Sequence, residues 1–437
     1  MNTSGESVYA IGGGVVSDGE EVFLSDGAVL IDSGVIVDIL PSSEARARCS
    51  RFVDVGGRLI LPGFVNFHHH LYSYFAVGLQ PCGKTDTFSE VLQNFWWKLD
   101  SVLSEECVFY SSVLGLMESL RHGTTTVFDH HSSMGYVSGS LDKAAEAFDL
   151  TGARGALCFE TSDRFGEKEV ARHIEENLSF CLSHRRTSML RGLFGLHASL
   201  TLSEKTLRAV ADRRPLEIPV HIHCAEATDD VDTCHRLGYA GPVERLYEHG
   251  LLDNRSLLAH AVHLSTRDRD LVRTVRPLVV TNPESNANNG VGRMDRDAVA
   301  DYVLGTDGMS GDMIQSLRSY VLLGLGGKEP SNRTSRMFFQ RSREALRSFF
   351  PQCCGLAKGS AADITAPDYI PLTPVSRENV LAHLLFGAKQ GRAFITIVNG
   401  RVLWKDGVFP HLDTDELRLQ GKRAARELHA AYSRFLH

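Results

Sequence analysis

No stretch of this chain is apolar for long enough to cross a bilayer, and Met1 to Ser7 carry neither the basic nor the apolar segment of a secretory leader. The expectation is a cytoplasmic protein with no membrane partner. There is no C-x-x-C pair among the nine cysteines, whose number is odd. That speaks against a disulfide framework and for a reducing compartment, with Cys353 and Cys354 read as adjacent free thiols. There is no excess of positive charge: the formal net charge is −7, which argues against nucleic acid as a partner. No low-complexity linker and no fixed-period repeat interrupts the chain. At 437 residues, 43% hydrophobic and 23% charged, it reads as a soluble globular protein with room for one large α/β domain or two ordinary ones. Histidine is the residue in surplus: there are 19, many at the ends of apolar runs.

The run Leu59-Ile60-Leu61-Pro62-Gly63-Phe64-Val65-Asn66-Phe67-His68-His69-His70-Leu71 organises the rest. Side chains alternate along a strand, so His68 and His70 point to one side and His69 to the other. Two imidazoles on one side of a strand end can hold a metal ion. Before this run, residues 8 to about 58 read as short strands broken at Gly12-Gly13-Gly14, Asp18-Gly19 and Asp26-Gly27. From residue 59 the rhythm becomes apolar run, then helix. Strands are expected at 59–67, 124–130, 152–160, 191–198, 218–226, 256–264, 278–285 and 302–309. Helices are expected at 104–121, 140–151, 167–184, 203–213, 229–249 and 265–275, with 312–355 also helical. Eight near-continuous apolar strands alternating with helices is the count of a (β/α)8 barrel of the triosephosphate isomerase type. After about 356 short strands return, and 413–434 reads as a charged terminal helix. The expected organisation is a barrel over 59–355, with 1–58 and 356–437 pairing into a small β-sandwich domain from both chain ends.

In such a barrel, chemistry sits at the C-terminal ends of the strands. The eight ends carry His68 and His70; Asp129-His130-His131; Glu160; His197; His221, His223 and Glu226; His260 and His263; Asn282-Pro283-Glu284-Ser285-Asn286; and Asp307. Packing alone does not explain titratable groups at nearly every strand end on one rim.

These motifs carry a resemblance. Pro62-Gly63-Phe64-Val65-Asn66-x-His68-x-His70-Leu71 resembles the opening metal motif of the amidohydrolase superfamily. Gly123-Thr124-Thr125-Thr126, His223-x-x-Glu226, His260-x-x-His263, Asn282-Pro283-x-Ser285-Asn286 and Gly305-Thr306-Asp307-Gly308 resemble its chlorohydrolase, guanine deaminase and adenosine-derivative deaminase branch. Phe95-Trp96-Trp97, Phe128-Asp129-His130-His131-Ser132-Ser133 and Asp307-Gly308-Met309-x-x-Asp312-Met313 are most similar to the SsnA-type aminohydrolases.

The resemblance implies one divalent metal, zinc or alternatively iron, on His68, His70, His223 and Asp307. It implies that Asp307 also accepts a proton from water, that Glu226 shuttles a proton to the substrate ring, and that His260 steadies the attacking hydroxide and the oxyanion. His197 matches a substrate-contact position. Trp96, Trp97, His130, His131 and Arg164 are further pocket candidates, while His221 is left a supporting role and His69 and His263 orienting or packing roles. The helix before the eighth strand looks truncated between Asn289 and Gly305, which puts the Asp307 loop in question.

The implied activity is hydrolysis of a non-peptide C–N bond, with a purine-like or related nitrogen heterocycle deaminated at a mononuclear site. The alternatives are a ring-opening cyclic amidohydrolase of the imidazolonepropionase kind and a catalytically inactive binding barrel. A lysine-bridged binuclear site is disfavoured, because Arg191 to Ser199 contains no lysine. The expected partners are the small heterocyclic substrate and further copies of the chain, as a dimer or higher homo-oligomer.

Overall fold

The computed structural model describes residues 8–183, 187–299, 301–324, 332–389 and 391–436. It opens with five strands: β1 (Tyr9–Ser17), β2 (Phe23–Asp32), β3 (Val35–Pro41), β4 (Arg51–Asp54) and β5 (Leu59–Pro62). The glycines of Gly12-Gly13-Gly14, expected to break a strand, instead lie inside β1, whose pairing with β2 shifts register around Gly14. A Cβ on Gly14 would lie 2.1 Å from the Arg58 carbonyl oxygen, so glycine here lets two backbones touch rather than ending the strand.

The apolar run from Leu59 is two strands. After β5, Gly63 turns the chain into β6 (Phe64–His69). A side chain at Gly63 would sit 2.2 Å from Thr125 Cγ2, too close for any residue but glycine to make this passage. Then follow β7 (Thr124–His131), β8 (Arg154–Phe159), β9 (Leu190–Gly192), β10 (Phe194–Ala198), β11 (Val220–Cys224), β12 (Leu257–His260), β13 (Leu278–Thr281) and β14 (Tyr302–Leu304). All pair in parallel, in the order β6-β7-β8-β9 in one sheet and β10-β11-β12-β13-β14 in another. Single parallel bridges, Thr161 to Leu196 and His69 to Asp307, join the two sheets at both margins. β7, β8 and β11 to β13 are buried along their whole length, as their apolar sequences require of parallel strands covered on both faces.

The intervening helices include Glu105–Arg121, Ser140–Thr151, Glu167–Ser183, Glu204–Arg213 and Thr266–Val275, close to their expected spans; His184, placed in the third, lies outside the described residues. Ser104, Ser203 and Ser265 cap three of them with side-chain oxygens that accept from backbone N–H groups. The helix expected over 229–249 is two, Thr228–Arg236 and Pro242–Glu248. Gly238, at a φ of +91°, ends the first turn of chain after the one, and Pro242 starts the other. Among the described residues, no helix lies between Asn288 and Tyr302, ahead of the eighth strand position. The stretch 312–355 is helical in pieces, Met313–Gly324, Asn332–Arg336 and Ser342–Phe349, the last two joined by a π turn; residues 325–331 lie outside the description.

The chain ends with β15 (Ile364–Pro367), β16 (Ala393–Val398), β17 (Arg401–Lys405) and the helix Thr414–Tyr432. Both chain ends build one sheet, ordered β17-β16-β15-β5-β1-β2-β3 with β4 also on β1. Its core is Ile11, Val29, Ile31, Ile60, Ile364, Ile395 and Ile397. β5 is the hinge of the design: it pairs with β15 at its outer edge and runs covalently into β6, so the sheet delivers His68 to its place. Among the described residues, no helix is long and apolar enough to cross a membrane. Among the described residues the nine cysteines form no disulfide.

Candidate active site

His68 and His70 at the end of β6, His223 near the end of β11 and Asp307 just past β14 converge on one point. Asp307 Oδ1 lies 2.8 Å from His70 Nε2 and 3.4 Å from His68 Nε2, and the Nε2 atoms of His70 and His223 are 3.1 Å apart. Tetrahedral ligands at about 2.0–2.1 Å from zinc stand about 3.3 Å from one another, so the spacing suits one ion. The outer nitrogens explain the orientation. His70 Nδ1 donates to the His130 carbonyl at 2.5 Å, and His223 Nδ1 donates to the His197 carbonyl at 2.9 Å. A carbonyl only accepts, so each ring carries its proton on Nδ1 and turns a bare lone pair inward. Two lone pairs 3.1 Å apart repel unless a cation lies between them. His68 Nε2, fully buried, has no hydrogen-bond partner at all. The donor set therefore fits a divalent metal.

The electrostatics are those of a cation site. Burial alone would raise the Asp307 carboxyl, but the His68 and His70 rings that face it outweigh burial and hold it well below the carboxylate range. Burial pushes His68 and His223 well below the usual imidazole value. Burial acts the same way on His70, but Asp307 overrides it and raises the ring to about 9, so a proton on His70 Nε2 competes with a cation for the same point. Asp307 Oδ2 accepts from Ser285 Oγ at 2.5 Å, and His69 Nδ1 donates to the Asp307 carbonyl at 2.6 Å, fixing the turn. The turn is strained: Asp307 has a φ of +54°, and at neighbouring strand ends Ala225, His260 and Ala261 have φ of +51°, +74° and +52°. Left-handed backbone at non-glycine residues costs about 1–3 kcal/mol each and gathers at functional sites.

Beside this point stand Glu226 and His260. Glu226 Oε2 is 3.5 Å from His260 Nε2, and Oε1 accepts from Asn289 Nδ2 at 3.4 Å. Burial, aided by Asp307, raises the Glu226 carboxyl to about 7 against the opposing pull of His260. His260 Nε2 is 3.9 Å from Asp307 Oδ2, and its Nδ1 pairs with Asn286 Oδ1 at 2.8 Å. A cavity of about 810 Å³, open mouth included, leads to these groups. It is lined by Trp96, Trp97, Arg164 and His197, together with Glu160 and Asp100. Arg164 donates to Asp100 at 2.8 Å and to Ser162 at 3.0 Å, and lies 5.1 Å from the centre of the Trp97 ring. Burial pushes His197 down to about 3, and its Nδ1 pairs with Thr201 Oγ1 at 2.7 Å. His130 and His131 stand behind the wall: His130 Nδ1 is 3.2 Å from Glu160 Oε1, while His131 Nε2 pairs with Ser133. His263 is bonded to the Val291 carbonyl, away from the centre.

Residues 59–403 match the sequence model of the amidohydrolase family. The chain belongs to the amidohydrolase family. It is 27% identical over 407 residues to a 5-methylthioadenosine/S-adenosylhomocysteine deaminase of Thermococcus sibiricus, spanning 89% of this chain and 92% of the relative. Its structure superposes on an adenosine deaminase of Xanthomonas campestris with bound zinc at a TM-score of 0.83 and 23% identity, covering 97% and 98% of the two chains. It also superposes on the atrazine chlorohydrolase of Arthrobacter aurescens TC1, complexed with zinc, at a TM-score of 0.79 and 22% identity, covering 95% and 100%. At these identities the superpositions show the fold, an α/β amidohydrolase fold with parallel sheets.

Sequence reasoning missed three pocket carboxylates of this amidohydrolase, Glu160, Asp100 and Asp230, the last of which accepts from the Leu200 and Ala225 N–H groups. Glu160 was visible as a strand end but drew no role; its signal is Arg164 four residues on, whose Nη2 comes within 3.6 Å of it. Asp100 closes a short helix, Trp97–Asp100, that opens on the last residue of Phe95-Trp96-Trp97, a motif that does not itself extend to Asp100. Only tertiary contact with Arg164 and Ser132 brings it to the pocket.

Proposed function

We propose that this chain is a mononuclear metal-dependent aminohydrolase that deaminates a planar, purine-like nitrogen heterocycle in the cytoplasm. The observation that carries the reading is the convergence of three inward imidazole Nε2 atoms and Asp307 Oδ1, with the neutral-range acid Glu226 beside them. In this reading His68, His70, His223 and Asp307 hold one zinc ion, with iron as the alternative, and β9 and β10 offer no lysine to bridge a second. Zinc bound there would supply Lewis-acid activation of water near neutral pH. The two parallel sheets are read as one closed (β/α)8 barrel within 59–355, and the sheet from both chain ends, 1–58 and 356–437, as its accompanying β domain. The deaminase relatives support the substrate class.

The residues divide the work as follows. Asp307, low in pKa and aimed at the centre, accepts the proton of the attacking water. Glu226, raised to about 7 and so about half protonated at neutral pH, gives its proton to the ring nitrogen next to the reacting carbon, which becomes electrophilic. His260, 3.5 Å from Glu226 and 3.9 Å from Asp307, faces the oxygen on which charge develops. The proton held by Asp307 then passes to the leaving exocyclic nitrogen, which departs as ammonia, while the remaining hydroxyl proton leaves the new carbonyl oxygen and restores Glu226. His197, Trp96, Trp97 and Arg164 orient the ring. The test is turnover of a heterocycle panel with ammonia and ring mass followed together. One ammonia per turnover with an intact ring is expected; a ring-opened acid without ammonia would replace deamination by the ring-opening reaction.

A further inference from the structure

His70 and His223 owe their inward lone pairs to backbone carbonyls. His68 does not. Its Nδ1 lies 2.9 Å from Nε2 of another imidazole, His221, fully buried two residues before His223 on β11. A neutral imidazole both donates and accepts, so this contact has two senses. If His221 carried its proton on Nε2, it would donate to His68 Nδ1. The single proton of His68 would then sit on Nε2, pointing at the centre and blocking it. His68 is a ligand only if His221 carries its proton on Nδ1 and accepts with Nε2.

The surroundings supply partners for that sense. His221 Nδ1 faces Cys158 Sγ at 3.8 Å, on β8, and the same sulfur is 3.9 Å from the Asp129 carbonyl oxygen on β7. The carbonyl can only accept, so with the thiol hydrogen on Asp129 the sulfur offers lone pairs to His221 Nδ1–H, the sense that leaves His68 Nε2 bare. Sulfur is a weak partner, but in a fully buried position no stronger acceptor is within reach of Nδ1 among the described residues, and this tautomer pairs every group in the row while leaving His68 Nε2 bare.

We infer that Cys158 and His221 form a buried relay of fixed hydrogen-bond polarity, running from the Asp129 carbonyl to His68, that holds His68 in its metal-binding tautomer. Both are positioning residues: neither lines the pocket. The inference rests on the metal centre proposed above. It assigns a use to a cysteine that the sequence presents as an ordinary core thiol, and it makes the affinity of one of three histidine ligands depend on side chains.

The test is zinc affinity of the full chain, stripped by chelator and titrated with zinc against a competing chelator, with folding checked by circular dichroism. His221→Phe keeps the bulk and removes the acceptor; zinc should bind about 10–100-fold more weakly, the usual effect of losing an outer partner of a ligand. His221→Gln, whose side-chain carbonyl can accept from His68, should recover most of that loss. Cys158→Ser should hold zinc better than Cys158→Ala, because the hydroxyl can still accept from His221. Equal losses in His221→Phe and His221→Gln would assign His221 to packing and overturn the relay, as would affinities within twofold of wild type throughout. If His221→Phe does not fold, the two Cys158 variants decide, and equal affinities for serine and alanine overturn the inference. A wild-type chain that takes up no zinc would overturn the metal centre itself, and the relay with it.

Discussion

The sheet made from the two chain ends and the rim of the parallel strands bury opposite kinds of side chain. The first has an interior of isoleucine and valine, with Ile395 and Ile397 wholly inaccessible, and contributes nothing to the pocket wall. The second packs His68, His130, His221, His260, Asp129 and Glu160 out of water, and it strains the backbone at Asp307, His260, Ala261 and Ala225. Burial without charge stabilises; burial of titratable groups costs free energy unless partners or a cation compensate. One region therefore holds the molecule together, and the other draws on that stability to keep reactive groups dry and aimed.

Substitutions that separate these two uses of burial sharpen the contrast. The largest effect is expected from His223→Ala. It should lose most of its zinc and nearly all activity, and elemental analysis of protein purified without chelator reads this directly; metal content equal to wild type would remove His223 from the site. Next comes Glu226→Gln, expected to keep zinc and thermal stability while kcat falls about 10²–10⁴-fold. A near-normal rate would reduce Glu226 to a structural group.

Ile395→Ala, in the terminal sheet, is the converse. It should cost about 2–5 kcal/mol in denaturant unfolding yet leave kcat per folded molecule unchanged. A lower kcat in the folded fraction would show that the two regions are energetically coupled.

The smallest effect is a pH effect within the rim. Burial raises the Asp129 carboxyl to about 7, above its unfolded value. The folded state thus binds more protons than the unfolded one between about pH 4 and 7, and stability from this group is lost as pH rises through the folded pKa. Asp129→Asn keeps the acceptor for the Leu71 N–H and removes the charge. Its melting temperature should exceed wild type at pH 8, with the difference vanishing near pH 4. A difference independent of pH would show that burial leaves the Asp129 carboxyl at its unfolded pKa.

The rim was legible because strand alternation and strand ends are local. His68-x-His70 and His223-x-x-Glu226 show their geometry within a few residues. At Pro62-Gly63 the sequence shows a kink between two apolar runs, yet 59–67 reads as a single strand, and only the approach of Thr125 shows that the chain changes sheets there. The same reason hid Gly14, whose need for glycine comes from Arg58, and Asp100, whose partner Arg164 lies 64 residues away. Pairings set by distant segments leave no mark in a window of sequence, whereas spacing within one strand does.

The outer edge of β5 has a consequence in time. Its partner there is β15, with Pro62 opposite Ile364, roughly 300 residues downstream. A ribosome adding about 5–20 residues per second needs about 15–60 s to cover that distance. For that interval the nascent chain holds Leu59, Ile60 and Leu61 beside an open backbone edge, directly upstream of the histidines it will later position. The last strands to be made complete the first sheet begun, so the amidohydrolase finishes folding only after its synthesis is nearly over, and a nascent-chain chaperone has most to protect at the segment that leads into the metal centre.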